Sequence, residues 1–174
     1  MSEIDRDKAH LFPPFVGILD AFEFELRRRG LPFCLFEGLR TWERQAELYA
    51  QGRTAPGPVV TWAQPGSSFH FYGLAADYVL DGTPDRPGVQ WSWELKADLD
   101  ADGRSDWEQM AEVAAETGLE TGWGFPGRKV DPPHVQYPCG LTIAHAREIY
   151  LDGGLDAVWN AANEWLERRG EGPA

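Results

Sequence analysis

The chain has 174 residues, 43% hydrophobic and 13% aromatic, which is enough apolar material for one compact core but too little length for two ordinary domains. A formal net charge of -12 with no Lys/Arg stripe interleaved with aromatics excludes nucleic acid and anionic membranes as natural partners. Only Cys34 and Cys139 are available, too few for a disulfide framework, and no run approaches the roughly 20 apolar residues that cross a bilayer. The opening Met1-Ser2-Glu3-Ile4-Asp5 is acidic where an export signal is basic, so a soluble monomer made in the cytoplasm is expected, reaching any outer target after release.

In chain order, Pro13-Pro14 suits the first turn of a helix, with Phe15, Ile18, Leu19, Phe22 and Leu26 on one face up to Arg27-Arg28-Arg29-Gly30. Phe33 to Leu39 reads as a strand. Thr41 is placed to cap a second helix from Trp42 to about Gln51, with Gly52 as its stop. Val59-Val60-Thr61 and Leu74 to Leu80 read as strands flanking a polar, Gly-containing segment that carries His70. Ser105-Asp106-Trp107-Glu108 is a capping box for a helix that ends at Gly118, with Glu108, Glu112 and Glu116 outward. A strand from Leu119 to Trp123, a Pro126-Gly127 turn and a short strand from His134 to Tyr137 follow. Leu155, Val158, Trp159, Ala162 and Trp165 predict a last amphipathic helix, and residues 170–174 a disordered tail. Helices and short strands alternate without a βαβ rhythm. The expectation is therefore one α+β domain over 1–169, a small antiparallel sheet packed with helices.

Asp77 is a carboxylate in a strand that is otherwise apolar on both faces, so it must be protonated, paired or bound to a cation. His70, seven residues earlier across a Gly-containing turn, is a natural metal co-ligand; an arginine partner for Asp77 is the plainer reading. In Asp131-Pro132-Pro133-His134-Val135-Gln136 the prolines fix the backbone, and the i, i+3 spacing brings a carboxylate beside an imidazole. On a strand His134 and Gln136 share a side, so Gln136 is a candidate to touch substrate or to support a ligand. Taken alone, the segment also reads as a Pro-rich turn with a surface histidine.

Ser68-Phe69-His70-Phe71-Tyr72-Gly73-Leu74-Ala75-Ala76-Asp77 matches an S-x-H-x-x-G-x-A-x-D signature, and Asp131-Pro-Pro-His134 a D-x-x-H element. With Gly38-Leu39-Arg40-Thr41, Gln45, Leu48-Tyr49 and Gln51-Gly52-Arg53 upstream, the chain from Phe33 to Tyr137 resembles the D-alanyl-D-alanine carboxypeptidase and L-alanyl-D-glutamate peptidase family. The resemblance implies a hedgehog/DD-peptidase-like fold and one catalytic zinc held by His70, Asp77 and His134. It also implies Asp131 as general base and acid, and Arg40 where negative charge on the attacked carbonyl is stabilised. Three protein ligands leave a zinc position open for catalysis. The carboxypeptidase branch usually has Glu at the acid/base position, so Asp131 favours L-Ala-D-Glu cleavage in peptidoglycan stem peptides, as in phage endolysins. The alternatives are a D-alanyl-D-alanine carboxypeptidase and a non-catalytic zinc module on the same scaffold. Asp131 speaks against the module, since a binding protein has no need of an acid/base carboxylate.

Ser68 and Trp123 join Gln136 as candidates to contact substrate or support the ligands. Cys139 is a conceivable fourth ligand, but it would close the site and make zinc structural. His10 and His145 read as surface groups and Cys34 as a core residue. Asp98-Leu99-Asp100-Ala101-Asp102-Gly103-Arg104-Ser105-Asp106 reproduces the opening of a calcium loop, with carboxylates at positions 1, 3, 5 and 9 and glycine at 6. The twelfth position is Gln109 rather than Glu, so a calcium site and a solvated acidic turn both stand.

Overall fold

The computed structural model describes residues 2–81, 95–124 and 130–170. Its principal elements are helix α1 (Pro13–Arg28), strand β1 (Phe33–Glu37), helix α2 (Trp42–Ala50), a 3-10 helix (Phe69–Tyr72) and strand β2 (Ala75–Leu80). Helix α3 (Asp106–Glu116), strand β3 (Glu120–Thr121), a 3-10 turn (Gly122–Gly124), strand β4 (His134–Gln136) and helix α4 (Ile143–Arg169) complete them. The expected α+β class is what forms. The chain divides into two units, one of Met1–Phe12, Gly38–Ala75 and Pro138–Ala174, the other of Pro13–Glu37 and Ala76–Tyr137.

The second unit holds the sheet, in the order β1-β2-β4-β3. β1 runs antiparallel to β2, pairing Phe33 with Leu80 and Leu35 with Tyr78, and a register shift then sets Glu37 opposite Asp77. β3 and β4 are antiparallel, with Glu120 opposite Gln136 and Thr121 opposite Val135. Tyr78 N–H donates to Pro133 O at 2.8 Å, tying β2 to the turn before β4. α1 buries Phe15, Leu19, Phe22 and Leu26, the face its spacing predicts. Phe22 meets Tyr78 edge-on at 5.1 Å, and Phe33 meets Trp107 at 5.0 Å. Each such buried side chain contributes about 1.5–3 kcal/mol. α3 is capped as predicted, Ser105 Oγ accepting from Glu108 N at 3.3 Å, and it buries Trp107, Met110, Val113 and Ala114.

In the first unit, Thr41 Oγ1 caps α2 through Arg44 N at 3.2 Å. The 3-10 helix Phe69–Tyr72, where a polar connection is expected, ends at Gly73 in the left-handed region (φ 67). A Cβ on Gly73 would stand 3.2 Å from Trp159 Cζ2 and 3.4 Å from His10 O, so this turn favours glycine by both conformation and space. Trp159 on α4 donates from Nε1 to Tyr72 O at 2.9 Å and meets Phe12 at a tilt of 51°, ring centroids 5.9 Å apart.

Several boundaries differ from expectation. Val59-Val60-Thr61 is not a strand: Val59 and Val60 are exposed, and side chains pin the segment, Arg53 donating to Thr61 O at 3.0 Å and Gln45 Nε2 to Ala63 O at 2.7 Å. β1 stops at Glu37 rather than Leu39, because the next backbone groups serve other partners; Gly38 N donates to Asp5 O at 2.7 Å. The strand from Leu119 shrinks to Glu120–Thr121 and passes into the 3-10 turn. α4 begins at Ile143 behind a Thr142 cap, twelve residues before Leu155, and is kinked at Gly154 (φ 73, ψ -164), so the apolar period restarts there. The Pro126-Gly127 turn lies outside the described residues, as do tail residues 171–174, while Gly170 forms the left-handed cap of α4.

Candidate metal centre

His70 sits in the 3-10 helix of the first unit, 1% exposed. Its Nδ1 lies 2.7 Å from Gly38 O. A carbonyl only accepts, so Nδ1 carries the hydrogen, the tautomer of imidazoles that bind metals through Nε2. The same short stretch is tied from the other side by Arg40 N–H, which donates to His70 O at 3.1 Å. Arg40 is itself buried, and its Nη1 donates to Gln45 Oε1 at 3.1 Å. Gln45, 1% exposed, is fixed in turn by Nε2 donating to Ala63 O. The guanidinium is thus aimed by a buried amide, a function for Gln45 that its place in the motif alone does not disclose.

In the second unit Asp77 lies on β2 among buried Ala75, Ala76, Tyr78, Val79 and Leu80. Its Oδ1 is 3.3 Å from His134 Nδ1. That is longer than the 2.7–2.9 Å or so of a good charge-assisted hydrogen bond and matches the roughly 3.3 Å between two donors about 2.0–2.1 Å from one tetrahedral ion. The donor set, one hard carboxylate oxygen and one imidazole nitrogen, suits zinc. On the other edge of the ring, His134 Nε2 is 2.9 Å from Gln136 Oε1, and Gln136 Nε2 donates to Glu120 Oε2 at 2.8 Å. The Glu120 carboxylate orients the amide, the amide oxygen faces Nε2, and Nδ1 is turned to Asp77. Gln136 therefore orients the His134 ring. Glu120 is the residue that sequence reasoning missed; alone it reads as an exposed strand residue, and only the register opposite Gln136 gives it a task.

Burial pulls the His134 imidazole down, but the hydrogen bond and charge of Asp77, the charge of Asp131 and the Gln136 contact together hold it above its ordinary value of 6.5. Asp131 is exposed at the head of the Pro132-Pro133 turn, its O accepting from His134 N at 3.1 Å and its N donating to Gly122 O at 3.0 Å. Gly122 is required for that approach, since a Cβ there would lie 2.2 Å from Asp131 O. Trp123 follows in the 3-10 turn, half-buried. Ser68 occupies the cap position of the His70 helix without making a side-chain cap. Of the four loop aspartates, Asp98, Asp100 and Asp106 bring carboxylate oxygens within 4.8 Å of one another, while Asp102 Oδ1 accepts from Arg104 N at 2.8 Å. His10 pairs with Asp5 at 2.8 Å at the surface, His145 is exposed in the first turn of α4, and Cys139 is buried in the turn before that helix.

No protein-family model matches the chain. It is 36% identical over 118 residues, 67% of each chain, to the peptidoglycan L-alanyl-D-glutamate endopeptidase CwlK of Bacillus subtilis (strain 168). Among solved structures, the LD-carboxypeptidase LdcB aligns with a TM-score of 0.56 at 17% identity, over 95% of this chain and 72% of that one. The L,D-carboxypeptidase DacB of Streptococcus pneumoniae aligns with a TM-score of 0.51 at 20% identity, over 82% and 72%. These two likenesses establish the fold. The identity to CwlK goes further, and the chain belongs with it to the D-alanyl-D-alanine carboxypeptidase and L-alanyl-D-glutamate peptidase family.

Proposed function

We propose that this protein is a zinc endopeptidase that hydrolyses the L-Ala-D-Glu bond of peptidoglycan stem peptides, with His70, Asp77 and His134 as ligands. The 36% identity to CwlK, a protein of that activity, carries the reading. Two features of the chain support the ligand set: His70 and His134 each have one ring nitrogen oriented by a protein acceptor, and the Asp77–His134 spacing is that of neighbouring donors on one ion.

When bound, zinc supplies a Lewis acid that makes a water acidic enough to react near pH 7 and polarises the scissile carbonyl. The Asp131 carboxylate takes the proton of the attacking water and delivers it to the leaving nitrogen of D-glutamate as the C–N bond breaks. Its position at a proline-stiffened turn limits the motion needed between the two transfers. Arg40, held by Gln45, offsets the negative charge that gathers on the carbonyl oxygen. Ser68 and Trp123 are assigned to the peptide-binding surface.

The finer reading is a phage-type lytic enzyme acting as a monomer after release, supported by Asp131 where the carboxypeptidase branch carries Glu. Among the described residues no helix is long and apolar enough to cross a membrane. Digestion of purified peptidoglycan tests the bond assignment: new D-glutamate amino termini are expected, and release of terminal D-alanine alone would overturn it. Lysis of outer-membrane-permeabilised cells, followed by turbidity, tests the lytic role.

A further inference from the structure

We propose that the loop Asp98–Asp106 is a calcium site, formed by the carboxylates of Asp98, Asp100 and Asp106 and sharing no residue with the zinc ligands. Acidic clusters are common on protein surfaces, so proximity within 4.8 Å does not by itself make one. The deciding observation is Asp106. It is 0% exposed, its Oδ2 accepts from Leu99 N at 2.8 Å, and its Oδ1 is buried with no hydrogen-bond partner among the described residues. A charged oxygen sealed from water and left unpartnered is costly, and the charges acting on this carboxyl are those of further carboxylates, Asp100, Asp98 and Asp102.

Burial pushes the Asp106 carboxyl up, the Leu99 N–H opposes this, and Asp100, Asp98 and Asp102 push it further up. The position of Asp106 in the first turn of α3 accounts for one carboxylate there, through the helix dipole, but not for a second oxygen without a donor. The single basic residue of the loop, Arg104, is turned to Glu112 at 2.7 Å. A cation is what these groups lack.

The loop is already folded around them. Asp98 accepts from Asp102 N at 3.1 Å and from Gly103 N at 2.9 Å, and Asp100 Oδ1 accepts from Asp102 N at 3.2 Å. Each of these oxygens keeps a lone pair, so a hydrogen-bonded carboxylate can still ligate. All-oxygen donors in an irregular loop select calcium over zinc, and oxygens no farther apart than two calcium–oxygen bonds, about 4.8 Å, fit one coordination sphere. Gln109 at the twelfth position cannot close the sphere with a bidentate carboxylate, which places the dissociation constant at about 0.1–1 mM.

The test is a calcium chloride titration of the zinc-loaded full-length protein by calorimetry, with thermal unfolding at about 10 mM calcium or magnesium. One equivalent of calcium and a midpoint raised by about 5 °C or more are expected, with a smaller response to magnesium. Asp98→Asn and Asp100→Asn, both at exposed positions, should each weaken calcium at least about tenfold while zinc content stays at one per chain. Absence of both heat and midpoint shift in the wild-type protein would overturn the proposal. So would an equal response to magnesium, or calcium binding undiminished in both variants.

Discussion

The two imidazoles assigned to zinc are prepared in different ways. His70 is held through Nδ1 by a backbone carbonyl, Gly38 O, whereas His134 is held through Nε2 by a side-chain amide that is itself held by Glu120. The two rings are therefore tethered through opposite nitrogens. A backbone acceptor is present whatever side chain stands at position 38, but the second arrangement is only as good as Gln136 and Glu120. The strand-borne histidine is thus the one whose orientation substitution can tune, while the tether of the 3-10 helix histidine is fixed by the backbone.

Substitution can probe each tether separately. The largest effect lies outside both tethers: Asp131→Asn should lower kcat by about 10²–10⁴-fold with zinc stoichiometry unchanged, measured on peptidoglycan fragments and by metal analysis. If zinc were lost as well, Asp131 would be acting on His134 and not on the substrate. Gln136→Ala should weaken zinc by about 10–100-fold in competition with a chelator, because the His134 ring loses the acceptor that fixes its orientation.

Acidification should act on the same nitrogen. The folded-state pKa of His134 is raised, so its protonated form stabilises the metal-free protein fully below about 6.5, and that contribution is lost as pH rises through the raised value. Zinc needs the bare nitrogen. Its apparent affinity should therefore fall by about tenfold per pH unit on the acid side of that value, read by calorimetry across buffers. Gly38→Ala should change zinc affinity by less than about threefold, since the carbonyl remains and the new Cβ meets only the flexible end of Leu11, 3.3 Å away. A large loss there would mean that the backbone tether is as adjustable as the amide.

Much of the site was legible as residue types at fixed spacing. His70, Gly73 and Asp77 stand within one short segment, and the constraint on each is local: Gly73 needs a left-handed backbone, and a carboxylate in an apolar strand needs a partner. The same holds for α1 and α3, whose apolar period and Ser105 cap are written in consecutive residues. Val59-Val60-Thr61 failed because β-branched composition says nothing about whether a neighbouring strand exists to receive it. α4 extends well ahead of the apolar face that starts at Leu155, because its first half buries Ala146 as its single fully buried residue, too weak an apolar signal to read before the Gly154 kink.

What the amino-acid order determined unaided was the chemistry available: which side chains can ligate, which can carry a proton, and where the backbone must turn. The three-dimensional packing set which nitrogen of each ring meets a protein acceptor, that Gln45 aims Arg40 and Glu120 aims Gln136, and that one oxygen of Asp106 is sealed without a donor. Those facts depend on pairs such as Glu120 and Gln136, 16 residues apart in the chain but opposite in register. A hydrogen bond is directional and short, so its partner is set by strand pairing and packing, and spacing along the chain does not disclose it.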